Sequence, residues 1–450
     1  MDDLLIKIYD DEIDVNKITN IIRKNIIEKR ENRLFPPDLN ELIGTSLNTK
    51  KPIDIIGQIK YIKEIIRSKS PNIKCKILGR WNQYKEKSQD NPNISSKVKV
   101  HQIIPWLGKE GDAIADEIRL IQKMLQESGY DSEIYCENYD SSAKAKYYPE
   151  YLNESSANNI LIYHHAGVSR VAKFIRDLPD YKILIYHNIT PSSFYKNFDK
   201  LKVTIQEKGL LDTKMLSSHI DLALGDSEYN KDELITLGYK NCDILPILLN
   251  YDRYDVVDEY TLDKYSDGNT NIIFVGRIAP NKCYEDLIKV FYYYKKLDPS
   301  SRLLLPGSYN IHDKYYIFLQ TLLTHLNLKD VFFFGKVPQE QINSYYRSAN
   351  IFLSMSEHEG FCIPLVESMY FGIPIVAFNS SAIPDTLGKS GILINNKNFA
   401  EIAELMYILK NDEKLRERII SGQKKQLNNF EYSKIRTKLL SFIQERGINN

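Results

Sequence analysis

The feature that most constrains the fold of this chain is a repeated order of apolar strand, turn and amphipathic helix that begins near residue 99. The first unit pairs a predicted strand at 100–106 with a predicted helix whose apolar residues recur at helical spacing. These residues are Ile114, Ile118, Ile121 and Leu125. Strands and helices that alternate in this way predict parallel β-sheets covered by α-helices.

The alternation occurs in two series, with a Tyr- and Asp-rich connection at 246–268 between them. Strands are predicted at 100–106, 159–163, 182–186, 220–224 and 242–245, and then at 271–275, 302–305, 331–334, 350–354 and 373–377. We therefore expect two doubly wound α/β domains, at residues 97–250 and 251–430, with substrate in the cleft between them. Residues 1–96 are expected to form a helical arm and linker, and residues 431–450 a C-terminal helix.

The composition excludes several classes of protein. Among 450 residues, 60 Lys and Arg balance 59 Asp and Glu, so the overall charge gives no reason to expect a nucleic-acid partner. The five cysteines are widely spaced without a C-x-x-C pair, which argues against a zinc finger or a disulfide framework. The start of the chain lacks a basic segment followed by an apolar core, and no stretch approaches the length of a membrane-spanning helix. We therefore expect a cytoplasmic protein.

The segment from Ser356 to Glu367 has the outline of an anion-binding site, because it follows a predicted strand and opens a helix. Pro364 suits the first helical turn, and Gly360 lets backbone approach a ligand closely. The free N–H groups at the helix start would face an anion in the cleft. Glu359 and Glu367 can also be explained without any ligand, because carboxylates near the start of a helix stabilise that helix by about 0.3–1 kcal/mol.

A second group of residues favours the ligand interpretation. The predicted strand at 271–275 ends in Gly276-Arg277, and Asn281-Lys282 follows before a helix. Arg277 offers a planar fork to phosphate oxygens, and Lys282 offers a point charge. A single Arg and Lys at a strand end are more often solvated. Together with the segment from Ser356 to Glu367 in the same domain, however, this pair indicates a phosphate-bearing ligand.

These residues resemble the retaining glycosyltransferases of family 4, which have the GT-B fold of two Rossmann-like domains facing a cleft. Glu359 to Glu367 is similar to that family's E-x7-E motif, and Val275 to Lys282 is similar to its V-G-R-x-x-x-x-K segment. The stretch 331–349 also resembles the family, and the likeness covers about residues 99 to 430. One departure is Cys283, where the family usually has Gly after the Lys.

The resemblance implies a role for each residue of the second half. Arg277 and Lys282 would hold the diphosphate of a nucleotide-sugar donor, Glu359 the sugar hydroxyls and Glu367 the ribose. Arg277, Lys282 and Glu359 would also act in catalysis. The remaining donor-binding residues that it implies are Lys336 and Val337 near the nucleobase, and Gly360, Phe361 and Cys362.

The first half contributes a second set of candidates at strand ends. His187 and Asn188 lie in a segment that resembles the H-N-I-T-P sequence of one branch of the family. The resemblance implies that His187 is a catalytic residue that contacts the donor sugar or the acceptor, and that Asn188 orients it. Alternatively, His187 caps the strand and satisfies loop backbone. Gly111 and Asp112 resemble the loop over the donor phosphates, with Asp112 a candidate acceptor contact. The pair His164-His165 has no carboxylate near it in sequence, so we expect no metal and no cofactor.

The expected reaction is metal-independent transfer of a sugar to a glycan or lipid-linked acceptor hydroxyl with retention, in polysaccharide or glycoconjugate synthesis. Two alternatives stay open: a nucleotide-sugar 2-epimerase of the same fold, and an inactive binding module. A nicotinamide oxidoreductase is disfavoured because no G-x-G-x-x-G follows a predicted strand.

Residues 51–99 are a candidate for peripheral contact with an anionic membrane, since they hold 12 basic and 4 acidic residues. Ile55, Ile59, Ile62 and Ile66 recur there on one helical face. The alternative is that this face packs on the enzyme itself.

Overall fold

The computed structural model describes residues 6–8, 13–32, 34, 98–108, 112–140 and 143–448. Its strands are β1 Ile6–Lys7, β2 Val100–Leu107, β3 Ile134–Tyr139, β4 Lys146–Tyr147, β5 Ile160–His165, β6 Tyr181–Tyr186, β7 Leu222–Gly225, β8 Cys242–Ile244, β9 Asn271–Ile273, β10 Arg302–Pro306, β11 Val331–Gly335, β12 Ile351–Ser354, β13 Ile375–Phe378 and β14 Ile392–Ile394. The predicted strands are all present, and β1, β3, β4 and β14 are additional.

The α-helices lie between most of these strands and at both ends of the described chain. They are α1 Val15–Glu31, α2 Ala113–Glu127, α3 Arg170–Ile175, α4 Lys200–Leu216, α5 Glu228–Thr236, α6 Glu259–Tyr265, α7 Tyr284–Leu297, α8 Lys314–His325, α9 Gln339–Ser348, α10 Ile363–Tyr370, α11 Ile383–Leu387, α12 Phe399–Asn411, α13 Glu413–Leu427 and α14 Tyr432–Ile448. Short 3-10 turns occur at Tyr148–Asn153, Ser192–Tyr195, Tyr251–Tyr254, Pro280–Lys282 and Asn428–Phe430. Among the described helices, none is long and apolar enough to cross a membrane.

The first domain is built on a parallel sheet with the order β4-β3-β2-β5-β6-β7-β8. All six residues of β5 are buried, as expected for a strand covered on both faces by helices. The order in which successive strands are added to the sheet reverses between β2 and β5: β3 and β4 extend it on one side, and β6, β7 and β8 on the other. Ligands bind doubly wound sheets at such a switch point, beyond the carboxyl ends of the strands.

The second domain has the corresponding order β11-β10-β9-β12-β13-β14-β1, and its strands are parallel except for β1. Its switch point lies between β9 and β12. These are the strands that precede the two predicted motifs of this domain, so the topology brings the motifs to one crevice. The expected architecture of two facing doubly wound α/β domains is therefore confirmed.

The first and the last of the described helices pack on opposite domains. β1 pairs with β14, and Ile22 and Ile26 of α1 are buried in the core of the second domain. This part of the predicted arm is therefore integral to the second domain. The C-terminal helix α14 buries Leu439 and Ile443 in the core of the first domain. The predicted helical face at 55–66 lies outside the described residues.

Candidate active site

Two loops of the second domain meet at the switch point between β9 and β12. Asn281, after β9, donates its side-chain amide to the carbonyl of His358 at 2.9 Å, and its own carbonyl accepts from the N–H of Glu357 at 2.9 Å. Across this junction the ammonium group of Lys282 forms an ion pair with Glu359. The structure therefore brings together two residues that the sequence placed in separate motifs.

Both loops contain a non-glycine residue in the left-handed backbone region. Cys283 has φ 50° and Cys362 has φ 70°, and each precedes the first residue of a helix, α7 or α10. A left-handed conformation is unfavourable for a side chain with a Cβ. The turn after Lys282 thus keeps its tight geometry although Cys283 stands where the resembled family usually has Gly.

Three of the predicted donor-binding residues lie beyond carboxyl ends of the sheet with partly or fully exposed side chains. Arg277 is exposed after β9, and no described residue accepts a hydrogen bond from it. Lys336 is exposed and Val337 half-buried after β11, two strands away. These positions leave the cationic groups of Arg277 and Lys336 accessible to a ligand.

Glu367 is buried in the second domain. Both carboxylate oxygens accept hydrogen bonds, from the hydroxyls of Tyr254 at 3.1 Å and Tyr346 at 2.8 Å, and Arg253 lies 3.9 Å away. Burial raises the pKa of Glu367, which these hydrogen bonds and Arg253 partly oppose. A ribose hydroxyl at this carboxylate would share it with the two tyrosine hydroxyls, since each carboxylate oxygen can accept more than one hydrogen bond.

Phe361 and Cys362 are buried rather than open to the cleft. The ring of Phe361 lies edge-on to Phe430, with the ring centres 5.4 Å apart, and Cys362 is 6% exposed. Their side chains therefore belong to the core of the second domain. Only their backbone is placed where a donor at the start of α10 would find N–H groups.

In the first domain, His187 follows β6 and is held by side chains instead of loop backbone. Its Nδ1 lies 3.1 Å from Asp226 Oδ2 and its Nε2 lies 3.1 Å from His164 Nδ1. Burial lowers the pKa of His187, but Asp226, Glu117 and Asp112 outweigh it and raise the pKa to about 9. Neither ring nitrogen is free for a sugar in this arrangement.

His164 and His165 end β5 and are fully buried. Burial, followed by the nearby charge of His187, lowers the pKa of both rings, so both are neutral. A carboxylate does lie close in space, since Glu117, His164 and His187 could each place one ligand atom within 4.8 Å of the others. The sequence concealed this proximity because Glu117 belongs to α2, far from the His pair in the chain.

Asp112 caps α2, accepting a hydrogen bond from the N–H of Ala115 at 3.0 Å, and it is exposed toward solvent. Gly111 lies outside the described residues. Asn188 adopts φ 70° and donates to Asn230 at 2.8 Å and to Glu233 at 3.1 Å. Its predicted role in orienting a ligand is compatible with this firm placement.

The two domains touch at Gly360. A Cβ on Gly360 would lie 2.6 Å from the Cβ of Asn188, so glycine is required by close approach at this position. The hydroxyl of Ser227 donates to the carbonyl of Gly360 at 2.8 Å, and the N–H of Tyr229 donates to Asp385 at 2.8 Å. The loop that carries Glu359 is thereby seated on the first domain.

Sequence reasoning missed several residues that build these contacts: Glu117, Asp226, Ser227, Arg253, Tyr254 and Tyr346. Asp226 directly follows β7, so the rule of reading strand ends would have found it. Glu117 carried no local signal, because its contact with the N–H of Leu248 joins residues 131 positions apart.

The fold and the cleft define an α/β protein of the GT-B class. Sucrose-phosphate synthase from Thermosynechococcus elongatus superposes with a TM-score of 0.63 at 13% identity, covering 78% of this chain and all of that one. HepE from Anabaena, solved with UDP and glucose, gives a TM-score of 0.56 at 15% identity, covering 77% of this chain and all of that one. At these identities the likeness establishes the fold alone.

Residues 264–426, which lie in the second domain, match the family model for glycosyl transferases group 1. The capsular polysaccharide biosynthesis glycosyltransferase CapM of Staphylococcus aureus is 27% identical over 190 residues, 40% of this chain and 48% of CapM. A Campylobacter jejuni N-acetylgalactosaminyltransferase that acts on an undecaprenol-diphosphate-linked glycan is 23% identical over 229 residues, 46% of this chain and 62% of that protein. The chain thus matches less than two thirds of the length of either relative.

Proposed function

We propose that the chain transfers a sugar from a nucleotide-diphosphate-sugar to an acceptor hydroxyl, with retention of the anomeric configuration. The observation that carries this proposal is the Lys282–Glu359 ion pair at the switch point, with Arg277 exposed at the carboxyl edge of the same sheet. Two cations suit a diphosphate, and a carboxylate beside them suits sugar hydroxyls.

Catalysis would be electrostatic. Arg277, Lys282 and the N–H groups at the start of α10 would stabilise the departing diphosphate as positive charge develops at the anomeric carbon. The acceptor oxygen would form a bond to that carbon as the bond to phosphate oxygen breaks, and the acceptor proton would pass to the leaving diphosphate. The two side-chain cations fill the role that a divalent cation has in metal-dependent transferases, which supports a metal-independent reaction.

The relatives support a role in polysaccharide or glycoconjugate synthesis, with a glycan or lipid-linked acceptor. CapM is named for capsular polysaccharide biosynthesis, and the Campylobacter protein for an undecaprenol-linked glycan. A lipid-linked acceptor would require the protein to reach a membrane surface. The basic segment 51–99 is our candidate for that contact, and only residues 98 and 99 of it are described.

The deciding experiment has two stages. Thermal unfolding with uridine, guanosine and adenosine diphosphate sugars identifies the donor, since a ligand at 100 times its Kd adds about 2.7 kcal/mol of apparent stability. Transfer to a lipid-linked or glycan acceptor is then followed in chelator, and the anomeric configuration of the product is read by NMR. An inverted product, or activity that depends on added metal, would refute those parts of the proposal. A donor epimerised without acceptor would identify a 2-epimerase instead.

A further inference from the structure

A chain of buried polar side chains fixes the protons on two histidines beneath the cleft. Gln102 donates its side-chain amide to the carbonyl of Ile118 at 3.1 Å, which orients its Oε1 toward His164 Nε2, 3.0 Å away. An amide oxygen only accepts hydrogen bonds, so His164 Nε2 carries the proton and its Nδ1 accepts. That Nδ1 faces His187 Nε2, which must therefore carry a proton as well.

The other nitrogen of His187 faces carboxylates. His187 Nδ1 lies 3.1 Å from Asp226 Oδ2 and 3.8 Å from Glu117 Oε2. We assign the negative charge to Asp226, the nearer of the two carboxylates, so that Nδ1 donates a proton to it. Burial raises the pKa of Asp226, and the charge and hydrogen bond of His187 oppose this increase. With both nitrogens protonated, His187 is an imidazolium ion in a site where its side chain is 2% exposed.

Two carboxylates thus share one cation. Glu117 is fully buried, its Oε1 accepts from the N–H of Leu248 at 3.1 Å, and its Oε2 has no hydrogen-bond partner among the described residues. Burial, helped by the charge of Asp226, raises the pKa of Glu117 to about 8 against the opposing effect of His187. A second ionised carboxylate here would be uncompensated and costly.

The remaining titratable groups that face His187 do not change this balance. His164 and His165 on β5 have lowered pKa values and are neutral, while Asp112 at the start of α2 is exposed to solvent. With Glu117 protonated, the charged groups in this cluster are therefore the carboxylate of Asp226 and the imidazolium of His187.

This pair lies directly under the contact between the domains. Asp226 adjoins Ser227, whose hydroxyl holds the carbonyl of Gly360, and His187 adjoins Asn188, whose Cβ abuts Gly360. Movement of His187 would therefore shift Asn188 and with it the loop that carries Glu359.

We propose that Asp226 and His187 form a buried ion pair that positions the Asn188–Gly360 contact for sugar transfer, while Glu117 stays protonated beside them. Asp226 is a positioning residue, because it acts through His187. The kinetic part of this inference rests on the proposed glycosyltransferase function, whereas the charge assignment does not.

The test compares two substitutions of the full chain that change the same chemistry, Asp226→Asn and Glu117→Gln. The 15N shifts of the histidine rings are recorded by NMR at about pH 7.5, above the ordinary histidine pKa, with the His187 signals assigned from a His187→Gln variant. We expect an imidazolium in the wild type and in Glu117→Gln, and a neutral ring in Asp226→Asn. Asp226→Glu keeps the charge and should restore the imidazolium signal.

Transfer kinetics supply the second measurement. In Asp226→Asn, kcat should fall by about 10- to 100-fold through misplacement of the cleft loop, with little change in the KM of the donor. Glu117→Gln should stay within about twofold of the wild type.

Three results would overturn the proposal: a neutral His187 in the wild type, an equal loss in both variants, or a stoichiometric metal ion in protein purified without added metal. A metal ion held by Glu117, His164 and His187 would take the place of the protons that are assigned to these side chains. If the wild type transfers no sugar, the proposed function fails, and the ring shifts still decide whether the ion pair exists.

Discussion

Lys282 and Glu359 form an ion pair that joins the two motifs of the second domain across 77 residues of chain. The pair is asymmetric. The side chain of Glu359 is 6% exposed and that of Lys282 is 23% exposed, and Glu359 Oε1 has no hydrogen-bond partner among the described residues. Loss of Lys282 would therefore leave a buried charge without a partner, whereas loss of Glu359 would leave an ammonium group that can reach water.

The first prediction follows from this asymmetry. Lys282→Ala leaves a buried carboxylate without its cation and should lower the free energy of unfolding by about 1–3 kcal/mol. Glu359→Gln should cost less, because the ammonium group of Lys282 can turn to water. Thermal unfolding of both variants measures the difference, and the double variant should recover part of the loss of Lys282→Ala. Equal losses in the two single variants would contradict the asymmetry.

The second prediction concerns Arg277, which is exposed and free of described partners. Arg277→Ala should leave the melting temperature unchanged and weaken binding of a bare nucleoside diphosphate, since a hydrogen bond to a charged group contributes about 1.5–3 kcal/mol. Calorimetric titration measures the affinity. Lys424→Ala, an exposed lysine on α13, serves as the matched control and should bind normally. Unchanged affinity in Arg277→Ala would show that Arg277 is a surface charge.

The third prediction tests the close approach of the two domains. Gly360→Ala places a Cβ 2.6 Å from that of Asn188 and should separate the loop from Ser227, lowering transfer by about 10- to 100-fold. Gly422→Ala is the control, because its new Cβ has no neighbour closer than 3.8 Å and lies within a helix. That control should gain about 0.5–1 kcal/mol of stability. Normal transfer by Gly360→Ala would mean that this contact is not needed.

The fourth prediction is a loss of stability as pH rises. The pKa of His187 is raised above its ordinary value to about 9, so its contribution is complete below about pH 6.5 and is lost as pH rises through about 9. Glu117, with its pKa raised by burial to about 8, keeps a proton that the unfolded chain has already released, so its contribution falls between its ordinary pKa and about pH 8.

Both groups act in the same direction, so the melting temperature should fall from mildly acidic to alkaline pH. Differential scanning fluorimetry across this range measures the slope. Glu117→Gln should flatten the part of the curve between the ordinary pKa of Glu and about pH 6.5, where of these two groups only Glu117 binds protons differently in the folded and unfolded chain. Parallel curves for the variant and the wild type would show that Glu117 is ionised in the folded protein.

Most of the site residues that could be predicted from the sequence lie just after the ends of predicted strands. The two motifs of the second domain were found because each follows an apolar strand, and their meeting follows from the order β9-β12. The strand β3 was missed because it lacks a continuous apolar run: its second half begins with Glu137 and Asn138 and ends at the exposed Tyr139. The strand β14, of three residues, was also missed.

Other parts of the site depend on contacts that local sequence does not encode. Glu117 lies on an amphipathic helix, and its carboxyl group accepts a hydrogen bond from the distant backbone N–H of Leu248. Ile22 and Ile26 pack on the second domain although they precede the first domain in the chain. The hydroxyls that enclose Glu367 come from Tyr254 and Tyr346, in separate elements. Such partners are set by the tertiary fold.

The last prediction concerns the basic segment before the first domain. Lys60, Lys63, Arg67 and Lys69 should attract anionic lipid with about 1 kcal/mol for each cation at the surface, so the full chain should co-sediment with anionic vesicles at low salt. Deleting residues 1–96 would be a poor test, because it removes α1 and exposes the core of the second domain that Ile22 and Ile26 cover.

Substitution of these four cations by Gln tests the segment with the N-terminal elements retained. The variant should lose vesicle binding and keep its melting temperature, and salt should weaken binding of the wild type by screening. The matched control makes the same change of charge at exposed lysines elsewhere, Lys240, Lys414, Lys424 and Lys425. Equal binding by the variant and the control, or no binding by the wild type, would exclude contact between this segment and an anionic membrane.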